Sequence, residues 1–337
     1  MANIYLIKKS KDMLSRLKGI KEELIKKGFG GKVAVKLHMG EKGNKTHLNP
    51  ELVKAAVDIL KELKCKPFLF DSTSLYKGAR HTAEDYLKTA RENGFSEETM
   101  GCPVIVSDDF VIRKTKHLEV HLCRAIADAD ALLVISHVKG HECAGFGGAI
   151  KNLGMGAVDQ KTKKDIHTFS QPELTLEKCT LCGTCERICG NGAVKISEKK
   201  GVKKPRFNAG LCIGCNKCVN HCPEKALKPQ IESFDLLLAE AASAAIKNKN
   251  CYYINELMRI TKNCDCYSDA GEIIASDVGI IYGEDIVAID KASVDLVNKN
   301  NPDVFEKSQK VNPYGHVKEA EKLRMGSGKY ALKINVL

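Results

Sequence analysis

The sequence predicts an α/β fold, a mostly parallel sheet covered by helices, interrupted by a small cysteine-rich α+β module. Three observations predict it. Short apolar runs alternate with amphipathic stretches of helical period from residue 1 to about 170. The pattern stops at 171–230, where eight cysteines fall with no long amphipathic helix between them, and it resumes at 231–337. The simplest parsing is one discontinuous host domain, 1–170 and 231–337, with the module at 171–230 inserted into it.

The elements follow in order. Residues 33–37 read as a strand. Asn49, Pro50 and Glu51 then supply an N-cap, a proline at the first helical position and an acid in the first turn; Leu52, Ala55, Ala56, Ile59, Leu60 and Leu63 line one face of that helix. Residues 67–70 form the next strand and complete a βαβ unit, and 82–93 form a helix ending near Gly94. A helix is expected over 122–127. The nearly all-apolar run 131–136 reads as a strand buried on both faces. After the cysteines come a helix at 234–247, strands at 252–258 and 278–282, a helix at 285–298 and a last strand at 330–336.

With 337 residues, 43% of them hydrophobic and 28% charged, the chain has enough apolar material for a large core, which excludes wholesale disorder. No apolar run has the length of a membrane span; the best, 236–246, is broken by Glu240. The N-terminus lacks a signal-peptide core, so a cytoplasmic protein with no membrane association is expected. Fifteen cysteines in such a chain point to metal rather than to disulfides. The net charge of +11 could suggest nucleic acid or an acidic partner. No nucleic-acid binding is expected.

Cys179, Cys182, Cys185 and Cys189 are followed by Cys212, Cys215, Cys218 and Cys222, each standing 33 residues after its counterpart; Ala193 and Ala226 keep the same offset. Cubane clusters need four soft thiolates, and a C-x2-C-x2-C turn supplies three while a distant cysteine supplies the fourth. Zinc favours paired C-x2-C knuckles and leaves the third and fourth cysteines of each set without a role. The motifs resemble two-cluster bacterial-type ferredoxins over about 60 residues. That resemblance implies two [4Fe-4S] clusters with crossed ligands: Cys179, Cys182, Cys185 and Cys222 for one, Cys212, Cys215, Cys218 and Cys189 for the other. Gly190 stands where the second motif has Pro223, which gives the turn after Cys189 a freer backbone.

In open α/β sheets ligands bind beyond the carboxyl ends of parallel strands. Here those positions carry His38, Asp71 and the run His137, Val138, Lys139, Gly140, His141. His38, Lys139 and His141 are the candidate catalytic residues. The glycine-rich stretch 145–156 matches no nucleotide motif, yet Gly147 and Gly148 could cup an anion with Lys151 supplying charge, or could simply permit a tight turn. Cys264 and Cys266 form a candidate third metal or redox site. Cys65, Cys102, Cys123, Cys143 and Cys251 read as small buried hydrophobes, with Cys143 set apart by sharing a loop with His141.

The segments 35–40, 136–141 and 147–156, the Cys264-Asp265-Cys266 triplet, 277–279 and 288–292 together resemble the iron-sulfur members of the family called domain of unknown function 362. The resemblance implies the architecture, with the module placed inside the host, and names no reaction. Two functions fit these readings. One is an oxidoreductase whose clusters serve a substrate or second metal at the host rim. The other is an electron-carrier or docking protein serving a partner redox enzyme, without catalysis of its own. The partner is accordingly a small-molecule substrate or a redox protein.

Overall fold

The computed structural model describes residues 1–199 and 201–334. Eight strands form the central sheet: β1 (Ala2–Lys8), β2 (Lys32–Lys36), β3 (Lys66–Asp71), β4 (Val104–Val106), β5 (Ala131–His137), β6 (Asn250–Leu257), β7 (Gly279–Gly283) and β8 (Tyr330–Ile334), in the order β8-β1-β7-β6-β5-β2-β3-β4. All pairings are parallel except the two made by β7, which runs against both β1 and β6. The mixed α/β class with a mostly parallel sheet is therefore the observed one. Strands drawn from 2–137 and from 250–334 share this one sheet, β6 lying directly beside β5 with Ile254 opposite Ile135.

The core sits on both faces of the sheet. Along β5, Leu132 and Val134 pack into one apolar cluster and Ala131, Leu133 and Ile135 into the other, all at most 2% exposed. Helix α1 (Pro50–Glu62) covers the second face, its first turn closed by Asn49, whose side chain accepts the Glu51 N–H. Helices α2 (Ala149–Gly156), α3 (Phe234–Ile246) and α4 (Ile286–Asn300) cover the first. Among the described residues no helix is long and apolar enough to cross a membrane.

One local expectation needs correction, and two further elements carried no prediction. Residues 122–127 are not one helix: Glu119–Cys123 is a strand paired with Phe110–Lys114, and only Arg124–Ala127 is helical. Hairpin pairing and burial of Val120 and Leu122 outweigh local helical preference there. Ala2–Lys8, unremarkable as a sequence, is a strand inserted between β7 and β8. The glycine-rich stretch is a hairpin, Lys139–His141 with Gly145–Gly147, followed by α2. Gly154 allows α2 to approach the Leu238 backbone of α3, and Gly156 makes room for Lys36. The expected last strand is seen to Ile334; its residues 335 and 336 lie outside the described residues.

The segment 171–230 forms two small antiparallel pairs, Pro172–Leu174 with Leu227–Pro229 and Val194–Lys199 with Val202–Phe207. The short helices Thr184–Ile188 and Lys217–Asn220 join them. The 33-residue repeat is written into this geometry: Leu174 faces Leu227 and Val194 faces Phe207, so a shift by one repeat exchanges the two pairs.

Candidate functional site

The carboxyl ends of β2, β3 and β5 open onto a cavity of about 500 Å³ lined by His38, Asp71, His141, Lys151, Cys264 and Cys266 among others. These residues come from strand ends, from α2 and from the loop after β6, and parallel strand direction is what brings them to one edge.

Asp71, the last residue of β3, organises the floor. Its Oδ1 accepts the Lys36 ammonium at 2.9 Å, and its Oδ2 accepts the Tyr86 hydroxyl at 2.5 Å and His38 Nδ1 at 2.9 Å. Burial opposes its charge, but Lys36 and the His38 hydrogen bond hold the carboxyl well below the ordinary carboxylate range. Lys36 is fully buried and also donates to the Leu37 carbonyl and to Asn152 Oδ1. Tyr86 and Lys36 escaped sequence reasoning. A lysine inside the apolar run Val33 to Leu37 was the signal available for one; Tyr86 sits in an ordinary amphipathic helix and carries none.

With Nδ1 committed to Asp71, His38 Nε2 has no hydrogen-bond partner among the described residues, and the ring lies beside Cys266. Burial opposes the imidazolium, yet Cys266 and Asp71 raise the ring above its usual value. Cys264 donates its thiol hydrogen to Cys266; that bond, with Lys151 and His38 nearby, lowers Cys266 well below an ordinary thiol while Cys264 is pushed up. Lys151 is in turn raised, its burial outweighed by the two thiols, and its ammonium has no hydrogen-bond partner among the described residues. Of the two sulfurs, Cys266 is the one whose surroundings favour the charge. Among the described residues no three His, Cys, Asp or Glu side chains gather as a single metal ion requires.

His141 is held by the Cys143 and Ala144 N–H groups, both 3.3 Å from its Nδ1, which leaves Nε2 to carry the ring proton. Burial lowers it well below the usual histidine value, so the ring is neutral.

Two expectations change role. Lys139 is not free for catalysis: its ammonium donates to the Thr46 and Arg259 carbonyls at 2.9 and 2.8 Å and lies 3.3 Å from Asp265. It braces the loop between the two thiols, as does His137, 2.9 Å from Asp265 Oδ2. Nor does Gly148 cup an external anion, because the Ala149 and Ile150 N–H groups that follow it already donate to the buried Asp290 carboxylate at 2.7 and 2.9 Å. Gly147 and Gly148 line the cavity wall together with Lys151.

Cys179, Cys182, Cys185 and Cys222 line a second, smaller cavity together with Pro223. Cys189 is not part of that lining; its charge raises the thiols of Cys212, Cys215 and Cys218, though burial is the larger cause for each. Leu181 and Gly183 have left-handed backbone, and so do Gly214 and Asn216, their counterparts one repeat later. In such a turn the amide N–H groups swing toward the cysteine sulfurs: Gly214 N–H donates to Cys212, and Lys217 N–H to Cys215. Four thiols per group, with amide dipoles aimed at them, fit a cubane, whose contacts spread over a cage instead of meeting on one ion.

The second set touches the large cavity. Ile213, between Cys212 and Gly214, lines it, as does Asn191. The Ile213 carbonyl accepts His167 Nδ1–H at 2.8 Å and the Cys143 thiol at 3.8 Å. Cys143, like Cys65, Cys102, Cys123 and Cys251, is buried.

Stretches of 67 and 89 residues, 20% and 25% of this chain, are each 33% identical to pyruvate synthase subunit PorD, from Methanocaldococcus jannaschii and Thermotoga maritima. They cover 74% and 87% of those subunits. Two solved structures align loosely: the lactate racemase apoprotein from Thermoanaerobacterium thermosaccharolyticum (TM-score 0.39, 13% identity) and a Thermotoga maritima protein (TM-score 0.42, 11% identity). The alignments take in 76% and 92% of this chain but only 50% and 59% of those chains. Residues 33–295 match the family described as "Domain of unknown function (DUF362)", and the chain belongs to that family.

Proposed function

We propose that this is a cytoplasmic iron-sulfur electron-transfer protein whose strand-end cavity is the place where electrons meet a substrate. On this reading the host is formed by 1–170 and 231–337 and carries a ferredoxin-like module at 171–230. One [4Fe-4S] cluster is held by Cys179, Cys182, Cys185 and Cys222, the other by Cys212, Cys215, Cys218 and Cys189. The grouping of the thiols and the repeated left-handed turns support both ligand sets. When bound, such clusters supply one-electron transfer.

The observation that carries the reading is the position of Ile213, a residue inside the second cysteine motif that also walls the cavity containing His38, Lys151, Cys264 and Cys266. The chain's own residues then do the following. Tyr86 and Asp71 orient His38; His38 and Lys151 stabilise negative charge at Cys266; His141 offers a neutral N–H donor; His167 and Cys143 fasten the cluster loop to the cavity wall. On the side of the first set, Cys182 is exposed beside the exposed Leu176 and Leu181, a surface suited to a redox protein. The likeness to a pyruvate synthase subunit favours a redox enzyme as that partner.

Asn191 provides the test, since it is exposed and lines the cavity. In an EPR-monitored redox titration, Asn191→Asp should lower the potential of the cluster held by the second set and leave the first unchanged. Equal potentials in wild type and variant would remove the cavity from the electron path and leave the carrier function alone.

A further inference from the structure

We propose that Cys264 and Cys266 are a redox couple, cycling between a dithiol and an intramolecular disulfide, and that the cavity takes a low-molecular-weight disulfide as its substrate. The proposal rests on the electron-transfer reading above. Its geometry is local. The two thiols stand at positions one and three of a turn closed by the Tyr267 N–H on the Cys264 carbonyl at 3.2 Å. Asp265 between them is pinned by His137 and Lys139, so the turn presents both sulfurs to the cavity from a fixed base. His38 Nε2, without an oxygen or nitrogen partner, and the Lys151 ammonium face the same sulfurs. A structural pair would need neither the cavity nor these two groups. A volume of about 500 Å³ admits a small molecule, not a folded partner's disulfide.

The chemistry balances in two halves. In the first, the Cys264–Cys266 S–S bond accepts two electrons, arriving singly from the Ile213 side, and one proton, giving a thiol at Cys264 and a thiolate at Cys266. In the second, the Cys266 thiolate attacks one sulfur of the substrate disulfide. That bond breaks and one substrate thiolate leaves, taking the Cys264 proton. Cys264 then attacks the mixed disulfide, re-forming the Cys264–Cys266 bond and releasing the second substrate thiolate. Two one-electron centres in the module match the two electrons required.

Dithiodiglycolate is a suitable probe. After anaerobic treatment of the full chain with it, peptide mass spectrometry should find Cys264 and Cys266 joined, two hydrogens lighter than the dithiol. Methyl viologen radical followed by iodoacetamide should then alkylate both. In Cys189→Ser, dithiothreitol should still open the disulfide while the viologen radical opens it at least tenfold more slowly. Cys264→Ser should trap the probe as a mixed disulfide on Cys266. Wild-type protein whose clusters reduce reversibly but whose two cysteines never join would overturn the couple and leave the electron-transfer reading standing. Opening of that disulfide by the viologen radical at the wild-type rate in protein lacking iron would sink that reading instead. Failure of Cys264→Ser to capture the probe would overturn the substrate assignment.

Discussion

His38 Nδ1 lies 2.9 Å from Asp71 Oδ2, and this contact, with the Tyr86 hydroxyl at 3.0 Å, holds the ring beside Cys266. It links the ends of two adjacent parallel strands, β2 and β3, to a thiol in the loop after β6, so the acidity of Cys266 depends on sheet register. Replacing His38 with Ala should raise the Cys266 pKa and lower its alkylation rate on the acid limb of the pH profile. Iodoacetamide labelling followed by mass spectrometry across a pH series gives both quantities; an unchanged profile would separate the imidazole from the thiol.

Asp71 and Lys36 form a buried ion pair with side chains 4% and 0% exposed. Asp71→Asn leaves the ammonium without its counter-charge, and a loss of about 3–5 kcal/mol is expected in chemical denaturation. Because the folded-state pKa of Asp71 is depressed, its stabilisation is complete above its unfolded value, near pH 4, and is lost as the pH falls below it. The variant should therefore show a shallower acid destabilisation than wild type.

At Gly148 an added Cβ would collide with the Asp290 carboxylate that caps α2. Gly148→Ala should cost about 1–3 kcal/mol through displacement of that cap. A melting temperature equal to that of wild type would show that the carboxylate shifts freely.

Crossed ligands make a paired prediction. Cys222→Ser should damage the cluster whose other ligands are Cys179, Cys182 and Cys185, and Cys189→Ser the one at Cys212, Cys215 and Cys218. EPR after reduction resolves the two; damage confined to the cluster of the variant's own motif would contradict the crossing.

Cutting the chain after residue 170 removes β6, the neighbour of β5 across seven registered positions. The apolar β5 edge would then be bare, and residues 1–170 alone should aggregate. Replacing 172–229 by a short linker should leave a soluble host. A cooperatively unfolding 1–170 fragment would mean that the halves are separate domains.

Much of this arrangement was legible in the residues. The Asn49-Pro50-Glu51 start of α1 and the uninterrupted apolar run of β5 are local signals, and the structure follows both. Strand ends pointed to His38, Asp71 and His141 because parallel topology converts three distant positions into one edge. What stayed hidden depends on contacts without periodicity. Lys139 looked like a catalytic cation until the Thr46 and Arg259 carbonyls were seen around it. The glycines before α2 looked like an anion cup because Asp290, which fills it, is some 140 residues away. Tyr86 reaches Asp71 from a helix whose pattern records only amphipathicity.

The central claim is that this chain carries two clusters beside a thiol-lined cavity. Quantifying iron and acid-labile sulfide in anaerobically purified protein, with EPR of the reduced sample, tests it most directly. The account predicts about eight irons and about eight sulfides per chain, with reducible [4Fe-4S] signals. Zinc in place of iron, or about four irons with Cys189 and the second motif empty, would contradict it.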